Sequence, residues 1–218
     1  MKRSGRFFFR LCKLVVGLLF MAAGVICTVK ANLGTSPIAS VPYVMEAAFP
    51  LSIGLWTIIF SLVLMVVQLI LSRFQMSAAF LLQLPVSILF GLFTDACLIL
   101  FHSFTSGDLT SRILFLLLGC ISLTIGVKLE TTAALAMLPG EATARVVADV
   151  ASIPFGIAKV ITDLCMVLSA SLLSVLLLGH LQGVGIGTVV AAVSVGTLCR
   201  LSFRKPRTSS PDETEQKN

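Results

Sequence analysis

Charge is what this 218-residue chain has least of: Asp, Glu, Lys and Arg make up 12% of it, against 57% hydrophobic residues. Soluble domains run at about 25% charged, so the chain cannot cover a globule with polar surface. It has two histidines, His102 and His180, set in distant turns, and one tryptophan, Trp56. Its six cysteines (Cys12, Cys27, Cys97, Cys120, Cys165, Cys199) are scattered through apolar runs with no CxxC or CxxH spacing. A zinc site or disulfide framework needs clustered ligands, so these read as small buried thiols, and neither metal nor cofactor is expected. No nucleophile, base and acid occur together, which argues against an enzyme.

What the chain does have is long apolar stretches and a mean hydropathy of +1.03. The expected environment is a lipid bilayer. The net charge of +6 is terminal: five basic residues precede Leu14 (Lys2, Arg3, Arg6, Arg10, Lys13) and five lie from Arg200 onward. Between them, six basic residues face seven acidic ones. Nucleic-acid binding would need a basic face within the body, so no nucleic-acid partner is expected. Terminal Lys/Arg clusters beside the first and last spans follow the positive-inside rule and predict that both termini are cytoplasmic, with an even number of spans. The first span reads as an anchor rather than a cleaved signal, because further spans follow it.

A helix needs about 20 apolar residues to cross a bilayer core of about 30 Å. Counted that way, spans are expected at about 11–29, 51–72, 74–100, 113–127, 154–178 and 184–201. Charges at Lys30, Arg73 and Lys128 close three of them, and Gly179-His180-Leu181-Gln182-Gly183 divides the last two. The expected fold is all-α: a polytopic membrane protein of six transmembrane helices. Its parts are a basic N-terminus (1–10), a first three-helix repeat (11–101), an external loop (102–111), a second repeat (112–203) and a disordered cytoplasmic tail (204–218).

Two stretches are too apolar for ordinary loops and too broken for spans: 33–50, with Pro37, Pro42 and Pro50, and 131–152, with Pro139-Gly140. In the second, Glu141, Arg145 and Asp149 recur every four residues opposite Val146, Val147 and Val150, as on a short amphipathic helix. Each half therefore reads span, broken segment, span, span. Ser52-Ile-Gly54-Leu-Trp-Thr57 lines up with Pro154-Phe-Gly156-Ile-Ala-Lys159. Three spans per half is odd, so a true repeat must be inverted, and broken segments at matching places are what alternating-access transporters use.

Asp163 is the sharpest chemical signal. It lies about 13 Å into its span at 1.5 Å per residue, where a carboxylate costs about 2.5–3.5 kcal/mol and needs a partner or a wet cavity. Lys159, one turn earlier, is the expected partner, either as a self-neutralising pair or as part of a substrate or ion contact. Thr57 and Ser61 hold the equivalent places in the first half. Asn32, Thr35 and Ser36 can cap the half-helix that follows Gly34 and Pro37, presenting a positive dipole end to an anionic group. Glu141 starts the matching half-helix, as a binding group or as a cap paired with Arg145. Gln68 and Gln83 lie inside spans, where amides bond a neighbouring helix.

The Lys-Ala-Asn-Leu-Gly-Thr-Ser-Pro segment at 30–37, Ser-Ile-Gly at 52–54, Phe-Gly-Ile-Ala-Lys-Val-Ile-Thr-Asp at 155–163 and the glycine-threonine run at 183–188 resemble the YczE/YyaS/YitT group of bacterial integral membrane proteins. The chain is similar to the shorter YczE type, having a tail where YitT types carry a soluble domain, and it departs from the group in having Ile38 after Ser-Pro where a tryptophan is usual. The resemblance implies a multi-pass protein of the bacterial plasma membrane, of transporter or permease type, with no named substrate. The expected function is a carrier of a small polar or charged solute. The alternatives are the solute-binding subunit of an importer with an energising partner, and a regulatory membrane protein without a solute. Its expected partners are the bilayer, the solute and, for assembly, a second copy or that energising subunit.

Overall fold

The computed structural model describes residues 2–74, 78–104 and 107–202, with side chains from residue 6 to residue 195 except 75–79 and 105–106. The tail expected at 204–218 lies outside the described residues, as do the side chains of Lys2, Arg3 and Arg200. Eight helices, and no strand among the described residues, follow in order: α1 (Lys2–Ala31), α2 (Pro37–Ala48), α3 (Ile53–Leu71), α4 (Ala78–Leu100), α5 (Leu109–Ala133), α6 (Pro139–Ala151), α7 (Phe155–Leu178) and α8 (Ile186–Ser202).

Five of these, α1, α3, α4, α5 and α7, are long and apolar enough to cross a membrane. Helix α8, expected as a sixth span, has 17 residues, about 25 Å at 1.5 Å per residue and the lower limit of a crossing. The lateral surface is apolar and the interior carries polar groups. Leu164, Leu168, Leu172 and Leu176 of α7 are exposed while its Lys159, Thr162, Asp163 and Ser174 are buried. On α3, Leu62, Val63, Val66 and Ile70 face outward and Thr57, Ser61 and Gln68 face inward. Water would reverse that arrangement; hydrocarbon selects it. The chain is a multi-pass membrane protein.

Helices α1 and α5 form the central pair. A Cβ placed on Gly24 would lie 2.8 Å from the Leu123 nitrogen and 2.9 Å from the Gly119 carbonyl, and one on Gly17 would lie 3.0 Å from the Gly126 carbonyl. The lower-numbered glycine of α1 thus meets the higher-numbered glycine of α5, so the helices run antiparallel with their backbones in contact, as small residues permit. Their C-terminal ends lie at opposite ends of the molecule. Helix α4 packs on α1 and α3, and α8 on α5 and α7; α2 packs on α3 and α7, and α6 packs on the same two.

The boundaries of α1 and α5 differ most from expectation, and α5 begins at Leu109, inside the expected external loop. Helix α1 begins at Lys2 rather than near Leu11, because a run of basic residues does not break a helix. Helix α5 does not stop at Val127: Lys128 is exposed and the helix continues to Ala133, carrying Glu130 inward.

Both short helices open with proline at their first position, Pro37 and Pro139, where the missing N–H costs nothing and the fixed φ suits the helix. The chain reaches them by left-handed residues at the ends of α1 and α5, Asn32 (φ 50°) and Ala134 (φ 51°). Gly34, at φ 118°, has a backbone conformation that favours glycine and packs against Gly185 and Thr188.

Candidate functional site

Four ionisable side chains are buried together. Lys159 and Asp163 project from the second turn of α7 and the turn after it; Lys159 Nζ lies 2.6 Å from Asp163 Oδ1 and 3.5 Å from Oε1 of Glu141. Glu141 enters from the first turn of α6. Glu130, near the end of α5, interacts electrostatically with both Glu141 and Lys159. Relative exposures are 0% for Glu130, 1% for Glu141, 3% for Lys159 and 1% for Asp163. Ammonium and carboxylate so close and so dry form a charge-assisted hydrogen bond whose loss would leave a buried charge uncompensated.

The second oxygens are the unusual feature. Glu130 Oε1 accepts the Leu138 N–H that opens α6, and Glu141 Oε1 faces the Lys159 ammonium, yet Oε2 of each is buried with no hydrogen-bond partner. Nearby, Gln68 and Gln83 exchange two side-chain hydrogen bonds (2.9 and 3.1 Å), and Gln68 Nε2 also donates to the Pro139 carbonyl at 3.1 Å. A cavity of roughly 410 Å³ lined by Gln68, Ser72, Gln83, Thr131, Ala142 and Arg145 reaches the residues next to Glu130 and Glu141.

The residues singled out from sequence divide into two places. Lys159, Asp163 and Glu141 meet, as do Gln68 and Gln83. Asn32, Thr35 and Ser36 lie at the other end, where Asn32, Gly34, Thr35, Tyr43, Gln182 and Gly183 line a cavity of roughly 420 Å³. The expected side-chain capping there is corrected. Ser36 holds the N-cap position of α2, but its hydroxyl makes no cap bond and is buried without a partner. Thr35 is spent on the Gly183 carbonyl, donating both its N–H (2.8 Å) and its hydroxyl (3.0 Å). Thr57 and Ser61 line the buried face of α3, and the Thr57 hydroxyl donates to Ile53 of its own helix.

The expected α6 face is also corrected. Its buried side is Glu141 with Ala142, Thr143, Ala144 and Ala148, while Val150 is exposed, because a small-residue face lets α6 approach α3 and α7 closely. Glu141 turns to Lys159 rather than Arg145, whose guanidinium sits 4.7 Å from the centre of the Phe155 ring. Glu130 lies beyond Lys128, the charge that closes the span expected from the sequence. The signal was present in the spacing: Leu116, Cys120, Leu123, Val127 and Glu130 follow one buried helical face. Among the described residues no group of His, Cys, Asp or Glu could hold a metal ion.

The chain matches, over residues 8–204, a family of unknown function, DUF6198. It belongs to that family. No curated protein and no solved structure is found similar to it.

Proposed function

We propose that this chain is a small membrane transporter or permease that binds a polar or charged solute at the Glu130/Glu141/Lys159/Asp163 cluster. The observation that carries the reading is a net excess of buried carboxylate at the start of α6, a short helix that begins inside the molecule, where unpaired charge is rare unless it serves a pathway.

The reading includes an inverted repeat, which the packing and the registers support. Exchanging α1 with α5, α2 with α6, α3 with α7 and α4 with α8 maps α1 on α4 to α5 on α8, and α2 on α7 to α6 on α3. The registers agree at a single spacing of 102 residues: Asn32 with Ala134 as left-handed helix ends, Pro37 with Pro139 as helix starts, and Gly54 with Gly156. The Ser36 N–H donates to Thr28 Oγ1 as the Leu138 N–H donates to Glu130. The same spacing pairs Thr28, Ala39, Thr57 and Ser61 with Glu130, Glu141, Lys159 and Asp163. The first half therefore builds the same turns with neutral side chains, so the fold itself does not call for the charges. The two cavities, one beside the end of α1 and one beside the end of α5, suit access from alternate sides.

On this reading α8 is the sixth crossing and both termini face the cytoplasm of a bacterial plasma membrane, in keeping with the YczE-type motifs. Uptake of labelled metabolite pools into proteoliposomes tests the function: wild-type chain should give saturable flux that Asp163→Asn abolishes. Absence of flux for every pool, with Asp163→Asn leaving the cell phenotype intact, would overturn it. The complete burial of Lys159 and Asp163 favours a second reading, a non-transporting membrane protein in which the pair only joins helices. A solute-binding subunit would instead bring an ATPase with it in mild detergent.

A further inference from the structure

We propose that the cluster is a proton site, with an exchangeable proton held between the Glu130 and Glu141 carboxyls. This names the coupling ion of the transport reading, and only the use of the proton, not its presence, rests on that reading.

The argument is a count of charges and donors. Three carboxyls share one ammonium. Fully ionised, the site would carry two uncompensated negative charges in a sealed interior, where an isolated carboxylate takes up a proton rather than stay charged. Lys159 is committed to Asp163 at 2.6 Å and reaches Glu141 only at 3.5 Å. What is left without a donor is Oε2 of Glu130 and Oε2 of Glu141. One proton on either oxygen removes a charge and relieves the repulsion between the two carboxyls.

Among the described residues, the charged groups that act on these carboxyls are one another and Lys159, with Arg145 on the wall of the adjoining cavity. Against these elements α1 sets Gly17, beside the Glu130 nitrogen, and α3 sets the neutral Gln68. The described side chains of α8, residues 186–195, are uncharged. Helix α2 has Tyr43, against Gly183, and Glu46, which accepts from the Ile53 N–H at the start of α3. A metal ion fits less well than a proton: the described carboxyls do not converge as ligands, and a cation would sit beside the Lys159 ammonium. Thr28 performs the Glu130 backbone contact with a hydroxyl, so a carboxyl at 130 exceeds what the turn needs. The cavity ending at Thr131 and Ala142 is the path by which the proton reaches water.

Infrared spectroscopy of the full chain in nanodiscs at neutral pH reads the proton directly. The expected result is the C=O stretch of a protonated carboxyl, shifted in D2O, lost or displaced in both Glu130→Gln and Glu141→Gln and unchanged in Asp108→Asn. Glutamine copies the shape of a protonated glutamate, and thermal unfolding of each variant checks that it folds; should one fail, the other decides. A spectrum without the band, a band that survives both substitutions, or one that sodium but not choline removes would overturn the proposal. Uptake that fails for every solute while the band behaves as expected would sink the transport reading and leave the proton site standing.

Discussion

Removing the one cation of the buried cluster should be among the most damaging single changes available to this fold. Lys159→Met keeps the length and apolar volume of the stem but leaves Asp163, Glu141 and Glu130 without an ammonium among side chains no more than 3% exposed. Breaking a buried pair by deleting one partner costs about 3–5 kcal/mol, mostly from the charge left behind. The cost should therefore shrink as pH falls, because protonation discharges the stranded carboxylates. It should also shrink when the partner is neutralised: replacing both members by uncharged groups is often near neutral, so Asp163→Asn in the Lys159→Met background should recover more than half of the loss. A double-mutant cycle on equilibrium unfolding of purified protein in mixed micelles, run at neutral and acidic pH, measures all of this. The reasoning fails if Lys159→Met lies within about 1 kcal/mol of wild type, or if the double variant is no better than the single one.

Three further outcomes follow from the packing. Gly24→Ala puts a methyl against the backbone of Leu123 and Gly119, at 2.8 and 2.9 Å, and neither neighbour can turn away. Forcing α1 and α5 apart should cost about 1–3 kcal/mol in thermal unfolding, and a neutral result would mean the helices are not in contact there. Asp95 closes the start of α3, its Oδ1 accepting the Gly54 N–H at 2.8 Å and its Oδ2 the Ser52 hydroxyl at 2.7 Å. Asp95→Ala should cost about 1.5–3 kcal/mol and raise amide exchange at residues 53–55, whereas unchanged exchange there would contradict the cap. Asp108 caps α5, and the Ser111 side chain, followed by backbone N–H groups, holds its carboxyl below the usual carboxylate range. A lowered folded value means that the capping contribution is present above the unfolded value and lost as pH falls through the folded one. Protection from exchange at residues 109–112, taken relative to the intrinsic rate at each pH, should therefore fall in acid for wild type and be low at every pH for Asp108→Ala, and a pH-independent wild type would refute the cap.

Much of this molecule is written in local pattern. Hydropathy and length located α3, α4 and α7 within a few residues, since an uninterrupted apolar run in hydrocarbon has only the helix in which to satisfy its backbone. Proline at 37 and 139 fixed the starts of α2 and α6 for the same local reason, and the four-residue spacing of Lys159 and Asp163 put them on one face. Which partners those faces meet is a different matter. That Glu141 turns inward to Lys159 rather than along its own helix to Arg145, and that Glu130 joins it, depends on α5, α6 and α7 converging. Periodicity says that a residue is buried; only the packing of helices far apart in the chain says against what, and so whether a carboxylate is paired, shared or left with an oxygen to spare.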